Sequence, residues 1–128
     1  MTELPNIPAV RYNNPGDVSL PIDGWTGGGE IVGIPGQPGY AKFPTMQIGF
    51  EAFQADVRRY IAEGRTSIAK IGEVYAVDPS WGVDVASIAG IRPFARLHPS
   101  NAAQMATVAA AIIRQETGLT LVDLGIAS

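Results

Sequence analysis

Up to Thr45 the chain is punctuated by glycine and proline, and beyond it apolar residues recur at helical spacing. This change of pattern constrains the fold more than any single motif. Asn13-Asn14-Pro15-Gly16, Gly27-Gly28-Gly29 and Ile34-Pro35-Gly36-Gln37-Pro38-Gly39 are turn signals. Between them, Glu30–Gly33 and Tyr40–Phe43 are short and apolar enough to pair as one small hairpin, which Pro44 ends. The rest of this segment is expected to be ordered loop. Past Thr45, Phe50, Phe53, Val57, Tyr60 and Ile61 predict a helix stopped by Gly64. Thr66 is placed to cap a second helix, with Ile68, Ile71 and Tyr75 on one face and Asp78-Pro79 beyond its end. Ser80 is placed to cap a third, with Trp81, Val85, Ile88 and Ala89 inward and Gly90 at its stop. Pro93–Leu97 reads as one short helical turn. A last helix, from about Ser100 to Glu116, is apolar almost all round apart from a stripe at Gln104, Thr107 and Arg114, the mark of a central, buried helix. Leu119–Leu124 reads as a docked tail. The expected class is mainly α (α+β), with a central C-terminal helix and a small β-hairpin. A length of 128 residues without repeat or linker favours one domain, residues 1–128.

Composition narrows the function classes. Hydrophobic residues make up 46% and charged residues 16%, the balance of a globular chain. A net charge of -3 gives no support for nucleic acid as the main partner. No cysteine is present, so disulfides and thiolate sites are excluded. The one histidine, His98, excludes a histidine-rich metal site, and beside Pro99 it reads as a turn residue. No cofactor or metal is expected. The start, Met1-Thr2-Glu3-Leu4-Pro5-Asn6, lacks the basic and apolar regions of a signal peptide, and no apolar stretch is long enough to span a bilayer.

The residue with the clearest chemical potential is Glu116, in Ala109-Ala110-Ala111-Ile112-Ile113-Arg114-Gln115-Glu116-Thr117-Gly118. Ile112, Ala109 and Met105 precede it by four, seven and eleven residues, which places its carboxylate on their buried helical face. Apolar neighbours and the negative pole of the helix both disfavour the charged form, and that suits a general acid. A frayed, solvated glutamate at a helix end fits the same residues. Arg11-Tyr12-Asn13-Asn14-Pro15-Gly16-Asp17 forms a second cluster. Its neutral amides at a rigid corner suit the hydroxyl and acetamido groups of sugars, although asparagine-proline turns are common. Tyr40, Tyr75, Trp25 and Trp81 lie beside turn signals, where aromatic faces can hold sugar rings. Core packing is the favoured reading for Trp81, and Tyr40 is the best placed to face a groove. Gly27-Gly28-Gly29 lacks the lysine and hydroxyl of a phosphate-binding loop and reads as flexible turn.

Four segments in this order, Arg11–Asp17, Gly39–Thr45, Gly49–Ala52 and Ala111–Gly118, resemble a phage and prophage family whose members are described as virion structural or muralytic proteins. The resemblance covers nearly all of the chain after Val10. The same pieces resemble the lysozyme-like fold of lytic transglycosylases and flagellar-type glucosaminidases in a changed order. There the glutamate helix comes first and the asparagine turn follows; here the helix comes last. Joining Gly118 to the N-terminal segment restores the usual order, which implies a circularly permuted lysozyme-like domain.

The resemblance implies cleavage of peptidoglycan at the β-1,4 bond between N-acetylmuramic acid and N-acetylglucosamine. Glu116 would be the acid, with Asn13, Asn14, Arg11, Tyr40 and Tyr75 binding substrate. Asp17 is the candidate second acid of a hydrolase, ahead of Glu30 and Glu51. A single acid fits the lytic transglycosylase route better. The implied partners are glycan strands and phage tail or virion proteins, with no nucleic acid and no membrane insertion. The implied setting is a virion, or delivery to the cell wall or periplasm without a signal peptide. The alternatives are a non-catalytic virion structural or glycan-binding module and, further off, an N-acetylglucosaminidase.

Overall fold

The computed structural model describes residues 3–126; Met1 and Thr2, on which the leader reading partly rests, lie outside them. Among the described residues, five helices and two strands follow in the order α1 (Pro8–Arg11), β1 (Glu30–Ile31), β2 (Ala41–Lys42), α2 (Met46–Ala62), α3 (Ile68–Tyr75), α4 (Ser80–Ala89) and α5 (Ala102–Thr117). The protein is therefore mainly helical with one small antiparallel sheet, as the sequence predicts. Its residues fall into two compact units. Unit 1 comprises residues up to Asp56 together with the segment from Leu119; unit 2 is Val57–Gly118. None of the helices among the described residues is long and apolar enough to cross a membrane.

Apart from α1 and the first part of α2, unit 1 is mostly loop held by specific hydrogen bonds. The short helix α1, which the sequence reading missed, starts on Pro8, whose absent N–H and fixed φ suit a first helical turn. In the hairpin, Glu30 pairs with Lys42 and Ile31 with Ala41, and the Val32 and Gly33 amides both donate to the Tyr40 carbonyl. Ser19 bridges Tyr40 from the other side, and the Ala41 amide donates to the Val18 carbonyl. Two adjacent residues, Tyr40 and Ala41, are fully buried as a result. Gly49 of α2 lies against the Asn13 carbonyl, where a Cβ would collide with backbone. The tail ends in turns, with Thr120 and Asp123 exchanging side-chain and backbone hydrogen bonds and Leu124 and Ile126 buried.

Unit 2 is packed helix. Phe50 and Phe53 of α2 lie in unit 1 and Val57 and Ile61 in unit 2; all four are buried. Gly64, with φ +102°, follows the helix as its spacing predicts. Ser67, not Thr66, caps α3, its hydroxyl accepting from the Lys70 amide. At α4 the cap is Pro79 rather than Ser80, and Asp78 accepts from the Ser80 amide. The inward face of α4 is Trp81, Gly82, Val85 and Ala86. Ile88 instead lies 49% exposed, because the buried stripe is set at the α3 and α5 contacts and Ile88 falls off its phase. Residues 93–95 form a turn and no helix. Asn101 caps α5, in which Met105, Val108, Ala109, Ala111, Ile112 and Ile113 are buried, and Gly118 closes it in the left-handed conformation. The helix packed on both neighbours is α4, between α3 and α5, rather than the expected central α5, whose Thr107, Arg114 and Glu116 face solvent.

Candidate functional site

Glu116 stands in the last turn of α5 with its phase as expected but its burial not. The residue is exposed, because the buried run of α5 ends at Ile113 and the final turn carries the side chain past that core. Its surroundings are aromatic. The Trp81 indole N–H donates to Glu116 Oε2 at 3.4 Å, a long hydrogen bond. Tyr75 stacks on Trp81 with centroids 4.7 Å apart and planes 6° from parallel, and Tyr60 meets Tyr75 edge-on at 6.2 Å. The Arg59 guanidinium lies 4.7 Å over the Tyr60 ring and pairs with Glu63. Local sequence builds this row. Tyr75 ends α3 and Trp81 stands in the first turn of α4, so a tight corner at Ala76–Pro79 brings the two rings face to face. Gly72, one turn before Tyr75, gives the indole its seat: a Cβ there would lie 3.0 Å from Trp81 Cε3.

The other candidates gather in unit 1, where most are consumed by the fold. Asn14 is fully buried. Its amide donates to the Val18 and Ala41 carbonyls at 2.9 and 2.8 Å, and its oxygen accepts from the Val18 amide at 2.9 Å. The expectation of an outward, sugar-binding amide fails for Asn14 because the corner turns it inward, where it replaces missing strand partners. Asn13, at φ 53°, is half-buried and donates to the Phe43 and Pro44 carbonyls. Tyr40 does not face a groove. Flanked by β1 and Ser19, it points inward, packs edge-on to Tyr12 at 5.9 Å, and donates its hydroxyl to Asp17 at 2.6 Å. Arg11 is exposed and bonds the Asn6 side chain.

Asp17, also left-handed at φ 51°, is an acid of unit 1 whose ionisation the fold shifts. Burial of its carboxylate raises it above the ordinary 3.8, and the Tyr40 hydrogen bond pulls the other way. The Tyr40 phenol is itself pushed strongly upward, first by burial and then by Asp17. His98 is exposed, and its backbone N–H donates to Gln104. Asp78 is drawn below the carboxylate range by the Ser80 amide and hydroxyl.

A separate groove in unit 2, about 390 Å³, runs between α3 and α4 past Phe94 and Val77. None of the candidate site residues lines it. Among the described residues no three His, Asp or Glu side chains gather closely enough to hold a metal ion. Asn13, Asn14, Asp17 and Tyr40 are thus brought together in one unit, and Glu116, Tyr75 and Trp81 in the other. Core packing, the favoured reading for Trp81, holds, since the residue is buried; its contact with Glu116, 35 residues away, and the place of Tyr60 in the row have no local pattern that marks them. No family model matches the chain, and no curated protein matches it.

Proposed function

We propose that this protein is a circularly permuted lysozyme-like domain that cleaves the peptidoglycan bond between N-acetylmuramic acid and N-acetylglucosamine, with Glu116 as its acid. The observation that carries the reading is the exposed Glu116 carboxylate at the end of a row of aromatic rings, Trp81, Tyr75 and Tyr60. Trp81 is buried behind this row, and the half-exposed rings of Tyr75 and Tyr60 are the ones that offer apolar surface to a sugar while the carboxyl reaches its glycosidic oxygen. In the transglycosylase route Glu116 gives its proton to the leaving oxygen as the C1–O bond breaks. The sugar's own 6-hydroxyl oxygen then bonds C1, and its proton returns to Glu116. The product is an anhydro sugar, and no water is consumed. In the hydrolytic route water takes the place of that hydroxyl, and a second carboxylate activates it or serves as nucleophile. Phage tail or virion proteins are the proposed carriers to the wall.

A second reading, a non-catalytic virion or glycan-binding module, is favoured by the consumption of Asn14 and Tyr40 in internal hydrogen bonds. Purified protein and Glu116→Gln are incubated with sacculi and the products weighed. Anhydro-muropeptides from the wild type alone support the transglycosylase, and products heavier by one water point to hydrolysis. Equal inactivity of two folded proteins would leave the binding module.

A further inference from the structure

Glu116 is exposed, and burial therefore does not fix its carboxyl plane. The terminal torsion of a glutamate is broad, so an unheld carboxyl would sweep through many orientations. Among the described residues one hydrogen-bond partner is present, the Trp81 indole N–H on Oε2. Trp81 is itself held in place. It is 7% exposed, its ring lies flat on Tyr75, and its six-membered edge rests on Gly72. Glycine in a helix interior costs stability relative to alanine, so a glycine beneath a buried indole has a packing purpose.

We propose that Trp81 is the positioning residue for Glu116. Its N–H engages Oε2, which leaves Oε1 as the oxygen that carries and delivers the proton. An indole nitrogen only donates, so the oxygen facing it must accept, and the acid proton sits on the other oxygen. The inference rests on the reading of Glu116 as the acid. Tyr75 and Gly72 act one step further back by fixing the indole plane.

Two readouts test it. In amide-correlation NMR, Glu116→Ala is expected to move the Trp81 indole N–H resonance. The Trp25 resonance, whose N–H donates to the Gly28 carbonyl at 2.8 Å, stays in place as internal reference. In kinetics on glycan strands, Trp81→Phe keeps a ring on Tyr75 but removes the donor. It is expected to lower kcat about five- to tenfold, the scale of one modest hydrogen bond, with KM little changed. Gly72→Ala, which crowds the indole without removing its N–H, is expected to lower kcat in the same sense by less. An unmoved Trp81 resonance, or unchanged kcat in a folded Trp81→Phe protein, would overturn the proposal. If the wild type leaves sacculi intact, the muralytic reading falls, and the resonance test alone decides whether Trp81 holds Glu116.

Discussion

In unit 1 one buried amide, Asn14, makes three hydrogen bonds to main chain at Val18 and Ala41, while in unit 2 the buried side chains of α5 are aliphatic save for Met105. The contrast follows from composition. A segment rich in glycine and proline cannot satisfy its backbone by helix or long strands, so side-chain amides must complete the pairing. A segment with apolar residues at helical spacing satisfies its backbone internally and is held by packing. Unit 1 is therefore sensitive to the loss of single polar groups, and unit 2 to the loss of volume.

Ile112→Ala tests the packed side and carries the largest expected effect. Ile112 is 1% exposed at the centre of α5, and truncation there is expected to cost about 2 to 5 kcal/mol in urea unfolding. A cost near zero would mean that the α5 core is not close-packed. Asn14→Ala comes next, at about 2 to 3 kcal/mol, because it strips the buried Val18 amide of its acceptor. Hydrogen exchange should show the loss first at Val18 and Ala41; uniform loss across all helices would break the contrast. Asp17→Asn carries the smallest effect and sharpens the electrostatic side. The folded-state value of Asp17 is raised, so its contribution to stability is fully present below the ordinary value of 3.8 and is lost as pH rises through the folded value. Relative to Asp17→Asn, the wild type should lose stability as pH rises from the ordinary value of 3.8 through the raised folded value, by less than about 1 kcal/mol because the carboxylate is only partly buried and solvent still screens it. A flat difference across that range would show that Tyr40 fully offsets the burial.

The same contrast governs what could be read before the structure. Helix phase is local, so α2 to α5 and their glycine stops at Gly64, Gly90 and Gly118 were legible from spacing. The caps were less so, since adjacent hydroxyls at Thr66 and Ser67 can each serve and packing selects between them. The hairpin was legible from its turn signals. The direction of Tyr40 was not, because two-residue strands carry too little alternation to choose a face and the neighbour at Ser19 comes from outside the hairpin. The fate of Asn14 depended on partners at Val18 and Ala41, which only the folded chain selects. For Glu116 the phase was readable, but how far the core extends beneath a helix end is a tertiary quantity. Its link to Trp81 was likewise invisible.

One property of the chain path bears on biosynthesis. Unit 2 is a single continuous stretch, Val57–Gly118, whereas unit 1 draws on both the beginning of the chain and the segment after Gly118. During synthesis the helical unit can close once Gly118 has left the ribosome. The loop unit must wait for Leu124 and Ile126 before its buried set is complete. The two units therefore cannot mature strictly in sequence order, and the stretch up to Asp56 is completed only after the stretch that follows it.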